Sequence, residues 1–240
     1  MRRRARQPDP YDVAAIPSRR RFSLLGWVAG WLGWLAWRLV ILALLLVLAF
    51  AVFNPPTTWT IISNARDYPI HERRWTRIED IAPVMLRSVV AAEDANFCTH
   101  WGFDMQEIRR VVASGRSGGA STLSQQVVKN VYLWQGRSWL RKALEAGMTP
   151  MVEAIWTKRR ILEVYLNVAE FGPGIFGIHA AAAHHFGTTP DRLTPIQSAR
   201  LAAILPAPKQ RQPQGPSRRS RAIADGAATI AKDGRDACFR

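Results

Sequence analysis

The chain has 240 residues, 33 Lys and Arg against 18 Asp and Glu, and two Cys; it is 48% hydrophobic and 21% charged. That balance supports a packed core and argues against a wholly disordered chain or a disulfide-built miniprotein. The net charge of +15 is uneven: residues 1–21 contribute +5, Arg38 +1, residues 39–205 +4 and residues 206–240 +5. The body therefore lacks the broad basic face of a duplex binder, and no nucleic-acid partner is expected.

Residues 1–21 form a basic tail with seven Arg, and residues 22–58 form an anchor. Between Phe22 and Phe53 the one charge is Arg38, and Leu39 to Phe53 is continuously apolar. This uncharged stretch is shorter than the roughly 20 helical residues a bilayer core requires. It must borrow from its flank, with Arg38 snorkelling and Trp27, Trp31, Trp34 and Trp37 forming an interfacial stripe. The N-terminal Arg cluster places that end in the cytoplasm and everything after Pro55 outside, on an uncleaved single-pass anchor. Cys98 and Cys238 then lie in an oxidising compartment, although their separation alone establishes no bridge.

Pro55, Pro56 and a Thr-rich stretch leave the membrane, and residues 61–80 read as a connector. From Pro83 the apolar spacing is helical, through Val89, Ile108, Leu144, Ile161 and Leu166, with breaks at 115–119, 172–174, 187–190 and 206–208. No run of period-two alternation stands out. The expected body is an all-α domain over 59–206. Residues 207–240 follow as a basic strap, with one helix near 222–232.

Five segments carry candidate chemistry. Glu93-Asp94 ends an apolar helix and leads into Ala95-Asn96-Phe97-Cys98-Thr99-His100-Trp101-Gly102; partial desolvation of a carboxylate there raises its pKa toward the range of a general base. Gly118-Gly119-Ala120-Ser121-Thr122-Leu123-Ser124-Gln125-Gln126 is a glycine turn with a natural helix N-cap, followed by Lys129 and Asn130. No Gly-Lys-Ser/Thr is present, so it is not a Walker loop. Arg137 precedes Arg141-Lys142-Ala143-Leu144-Glu145, in which Lys142 and Glu145 share a helix face. Lys158 to Asn167 is an amphipathic helix whose polar residues read as solvated. The fifth segment runs from Gly172-Pro173-Gly174 to Ala180–Ala183, His184, His185 and Phe186. His179, His184 and His185 are poorly spaced for a metal site.

In order and separation, the five segments resemble the family-51 glycosyltransferases, and within them the monofunctional biosynthetic peptidoglycan transglycosylases. Ala120, Ser124 and His185 depart from that pattern. The resemblance implies a lysozyme-like all-α domain with a small membrane-contacting lobe. It implies polymerisation of lipid II into linear glycan strands by inverting transfer with release of polyprenyl diphosphate. Glu93 would be the base and Glu145 a second essential carboxylate. Asp94, Ser121, Thr122, Gln125, Gln126, Lys129, Asn130, Arg137 and Lys142 would bind or orient substrate. A divalent cation, Mg or Mn, is compatible with the role of Glu145 and is not required by the residues. Expected partners are lipid II, the growing strand, cytoplasmic membrane lipids, and cell-wall synthesis or division proteins. Neither Ser-x-x-Lys nor Lys-Thr-Gly occurs, so transpeptidation is not expected. A lytic enzyme acting on the same glycan could use Glu93, but its substrate has no diphosphate to meet the basic cluster.

Overall fold

A computed structural model describes residues 24–115, 119–136 and 138–240. The basic tail and the positions Gly118 and Arg137 lie outside the described residues. The chain divides into two units, the first ending at Leu42 and the second running Ala43–Arg240.

Helix α1 spans Leu24–Val52, 29 residues, or about 43 Å at about 1.5 Å per residue. This exceeds the roughly 30 Å of a hydrocarbon core, so the helix carries its own interfacial ends. Among the described residues it is the one helix long and apolar enough to cross a membrane. Trp27, Trp31 and Trp34 stack edge to face along one stripe, and the Arg38 guanidinium lies 3.9 Å from the Trp34 ring. An aromatic face thus receives the single charge of the span.

The last turns of α1 belong to the second unit and are held within it. Trp156 donates its indole N–H to the Val47 carbonyl at 2.8 Å, and Arg160 donates to the Phe50 and Phe53 carbonyls. Helix α2 (Trp59–Asn64) follows within the stretch read as a connector. Then come α3 (Pro83–Glu93), α4 (Met105–Ala113), α5 (Leu123–Tyr132), α6 (Trp139–Ile155) and α7 (Lys158–Val168). The starts follow sequence rules: Pro83 opens α3, Asp104 accepts from two backbone N–H groups at α4, and Thr122 forms a reciprocal capping box with Gln125 at α5.

Helix α7 is central. Ile161, Leu162, Val164 and Leu166 are fully buried, and the helix packs on α5 and on α8 (Gly177–Phe186). Helix α9 (Pro195–Ile204) and helix α10 (Arg218–Asp233) pack on each other and on α3. The C-terminal segment, set apart in the sequence as a strap, supplies Ile223, Ile230 and Phe239 to the same core. Its helix begins at Arg218, capped by Ser217, four residues before the expected start. A Cys98–Cys238 disulfide, with Cα atoms 5.6 Å apart, ties the chain end to the loop after α3.

The break at 172–174 is more than a break. Strands β1 (Glu170–Gly172) and β2 (Ile175–Phe176) pair antiparallel across it. Two short strands leave too few residues for a visible period of two. Gly174 has φ of +73°, and a Cβ there would lie 2.2 Å from the Pro69 carbonyl oxygen; only glycine fits. His185 donates Nε2–H to the Phe171 carbonyl at 2.8 Å and so pins the hairpin.

Candidate active site

Glu93 is the last residue of α3, and its side chain is 11% exposed. Oε2 accepts from Gln126 Nε2 at 3.0 Å, and Oε1 lies 3.5 Å from Arg219 Nη2. Gln126 is oriented in turn by the buried Tyr165, whose hydroxyl donates to Gln126 Oε1 at 3.2 Å. Desolvation raises the Glu93 pKa, and the Gln126 hydrogen bond and the charges of Arg219, Lys129 and Arg211 only partly offset it.

The rest of the first motif builds the seat for Glu93. Asp94 is buried; Oδ2 accepts the Leu123 backbone N–H at 2.9 Å, and Oδ1 meets His100 Nε2 at 2.8 Å. One carboxylate therefore joins the end of α3 to the start of α5. Phe97 is fully buried. Gly102 has φ of +84°, a Cβ there would meet Thr149 Cγ2 at 2.7 Å, and its carbonyl accepts the Thr122 hydroxyl at 2.7 Å. Asp94, Thr122 and Gln125, read from the sequence with the substrate-binding residues, serve these caps and crosslinks through both Asp94 oxygens, the Thr122 hydroxyl and Gln125 Oε1. Ser124 bonds the buried Glu153, which also takes Lys158 Nζ at 2.8 Å. Lys158, read as solvated, is in fact tied down inside this frame, where its ammonium also lies over the Phe97 ring.

A second cluster lies along α6. Glu145 is buried; Oε2 pairs with Arg141 Nη1 at 2.7 Å, and Oε1 pairs with Lys142. Lys142 Nζ also donates to Ser121 Oγ at 3.2 Å, which links α6 to the glycine turn. The Lys129 ammonium, on α5, makes no hydrogen bond or ion pair among the described residues. Burial pushes its ammonium pKa down, and the Glu145 carboxylate opposes that shift. An unpaired, half-desolvated cation beside a half-desolvated carboxylate is an arrangement that anion binding would relieve.

The two partners of the Gln126–Glu93 hydrogen bond each line a cavity. One, of about 470 Å³, is lined by Gln126, Lys129, Asn130, Tyr165, Glu170 and Lys209 among others. The other, of about 220 Å³, is lined by Glu93, Asn96, Glu107, Arg110, Ser121 and neighbours. The structure thus brings together Glu93, Gln126, Lys129 and Asn130, and places Ser121, Lys142 and Glu145 alongside. Arg219, Arg141 and Tyr165 were not singled out in the sequence. Arg141 was visible as part of an Arg-Lys pair four residues before Glu145; Arg219, in the strap, carried no signal.

A metal site fits poorly. Both Glu145 oxygens are already engaged by cations. Among the described residues no group of three His, Cys, Asp or Glu is placed to hold an ion.

A family model described as Transglycosylase matches residues 61–232. A biosynthetic peptidoglycan transglycosylase of Jannaschia sp. (strain CCS1) is 54% identical over 87% of this chain and 89% of its own length. One from Xanthomonas campestris pv. campestris (strain B100) is 45% identical over 83% of this chain and 84% of its own length. One from Pectobacterium carotovorum subsp. carotovorum (strain PC1) is 55% identical over 60% of this chain and 61% of its own length.

Proposed function

Because this chain belongs to the transglycosylase family, we infer that it polymerises lipid II into linear peptidoglycan strands with Glu93 as general base. The observation that carries this reading is that Glu93, held by Gln126, and the unpartnered Lys129 lie within electrostatic reach of each other, both largely buried away from water.

Glu93 takes the proton of the acceptor sugar 4-hydroxyl as that oxygen forms its bond to the donor anomeric carbon. The anomeric carbon–oxygen bond to the polyprenyl diphosphate breaks in the same displacement. The electron pair leaves on the diphosphate, and Lys129 and Lys142 meet the new charge. Glu93 then returns its proton to water. One displacement turns the α-linked donor into a β-linked polymer, with no covalent glycosyl-enzyme intermediate. Arg141 and Glu145 hold Lys142 in place, and the Glu145 charge keeps Lys129 protonated. Ser121 and Asn130 offer hydrogen bonds to sugar or phosphate oxygens. Asp94, Thr122 and Gln125 position the two helices that carry Glu93 and Lys129. No step is routed through a divalent ion.

The protein is anchored in a membrane by α1. The N-terminal Arg cluster and the Cys98–Cys238 bridge together support a cytoplasmic N-terminus with the catalytic unit outside the cytoplasmic membrane. Tethering keeps lipid-tailed substrates at high local concentration. Protease added to spheroplasts should digest the catalytic unit; full protection would reverse the assigned topology.

The deciding assay gives purified full-length protein labelled lipid II, with and without moenomycin, which the family resemblance places at the donor site. Polymer should form and the inhibitor should stop it. Cleavage of finished glycan without extension would instead favour the lytic reading.

A further inference from the structure

A third cavity lies on the other side of Glu93, between the end of α9 and the start of α10. It has a volume of about 310 Å³, and its lining includes Arg200, Arg211, Arg219, Ser217 and Ser220, with no acidic residue. Arg200 Nε is buried without a hydrogen-bond partner, and among the described residues the Arg200 guanidinium makes no ion pair. Among the described residues the Arg211 side chain donates only to the Ala203 carbonyl, Arg219 donates to the Ala92 carbonyl at 3.3 Å, and the one acid paired with the group is Glu93, 3.5 Å from Arg219. The N-terminus of the 16-residue helix α10 opens at the same place, its Ser217 and Ser220 hydroxyls closing the capping box. Three guanidinium groups, one with an orphaned buried N–H, and a helix N-terminus therefore converge on one space. Anion binding would give the Arg200 N–H a partner and offset the charge gathered there.

We propose that this Arg200–Arg211–Arg219 cavity binds an anionic group, carboxylate or phosphate, of the acceptor substrate. The assignment to the acceptor rests on the reaction inferred above. Inversion requires the attacking oxygen to approach opposite the leaving diphosphate. Glu93 presents Oε2 toward Gln126 and the Lys129 side, and Oε1 toward Arg219. With the leaving group at Lys129, the acceptor approaches from the Arg219 side, and its charged part reaches this cavity. Lipid II offers two sources of that charge, its lipid diphosphate and the carboxylates of its stem peptide.

The test uses the full-length protein in detergent and the variants Arg200→Gln and Arg211→Gln, with thermal melts to confirm folding; Arg211 is exposed, so that variant keeps the test valid should the first fail to fold. At saturating donor strand, and on the pH plateau where Glu93 is ionised with or without the Arg211 charge, each variant should raise the acceptor KM about tenfold, the loss of one charge-assisted contact, and lower kcat by no more than about twofold. The KM for the donor strand should not move. Calorimetric titration with inorganic diphosphate should show the same loss of binding. Unchanged acceptor KM in folded variants would overturn the proposal, whether or not diphosphate binding changes, since the cavity would then be an anion site the reaction does not use. Acceptor lacking the stem peptide separates the sources: the penalty vanishes if the peptide carboxylates are bound and persists if the diphosphate is. Should the parent fail to polymerise lipid II at all, the functional reading falls, and the calorimetry alone decides whether the anion site exists.

Discussion

Glu93 and Lys129 are each pushed toward neutrality by burial, and each is held charged partly by its neighbours. Activity should therefore follow a bell in pH. The acidic limb lies above the ordinary carboxylate value, because the base must lose its proton, and the basic limb lies below the ordinary lysine value. Arg219→Gln removes a charge that favours ionised Glu93, so the acidic limb should move to higher pH; a profile that stays put would disconnect Arg219 from the base. Glu145→Gln should shift the basic limb to lower pH, since Lys129 loses an attractive partner.

Glu93→Gln separates chemistry from folding. Loss of a general base costs about 10²–10⁴-fold in rate, and polymerisation measured on labelled lipid II should fall by that much. Stability should hold or rise at neutral pH. The sign follows from the raised pKa: the folded state binds the Glu93 proton more tightly than the unfolded chain, so ionising this carboxylate destabilises the fold as pH rises from the unfolded pKa through the folded one. A variant that unfolds at neutral pH would contradict this account.

At the scale of elements, the site depends on how α5 begins. Asp94 and Thr122 both close the N-terminus of α5, one from α3 and one within the capping box. Thr122→Ala should cost about 1 kcal/mol, the usual loss for an N-cap, together with its hydroxyl bond to the Gly102 carbonyl. Asp94→Asn keeps the shape but weakens a buried charge-assisted bond, so kcat should fall because Glu93 and Gln126 are no longer fixed relative to each other. Denaturant melts and steady-state rates check both. The hairpin offers a sharper test of backbone geometry. Gly174→Ala must find room where the Pro69 carbonyl already sits, and should destabilise by more than about 1 kcal/mol.

For the whole molecule, the Cys98–Cys238 bridge closes a loop over a sequence separation of 140. Cys98→Ser together with Cys238→Ser should lower stability by about 2–5 kcal/mol, and reductant should reproduce the loss in the parent but not in the double variant. The bridge also holds the segment that follows α10 against the loop that follows Glu93. Its removal should therefore weaken activity before it abolishes folding, a difference that parallel melts and rates at rising temperature would detect.

The sequence by itself determined the long apolar helix, the helical body and the helix caps, because each rests on local pattern: unbroken apolarity, a period of 3.6 and side chains that cap their own neighbours; a base at Glu93 is what the family resemblance implies, not what any local pattern shows. It also marked Lys129, Lys142 and Glu145 as charges at helical spacing. Only the tertiary structure decided which of the motif residues face the cavities. Asp94 and Thr122 border the smaller cavity, yet their side chains are engaged by Leu123 and Gly102, 29 and 20 positions away, partners that no local window contains, whereas Gln125 is engaged locally by its cap on Thr122. The same holds for α10: a helix near 222–232 is legible in the basic strap, but its place in the core is not, because its charge hides a narrow apolar stripe of Ile223, Ala227 and Ile230. Packing that stripe against α3 carries Arg219 to Glu93 across 126 residues, and an electrostatic contact of that kind exists only once the core has brought its two ends together.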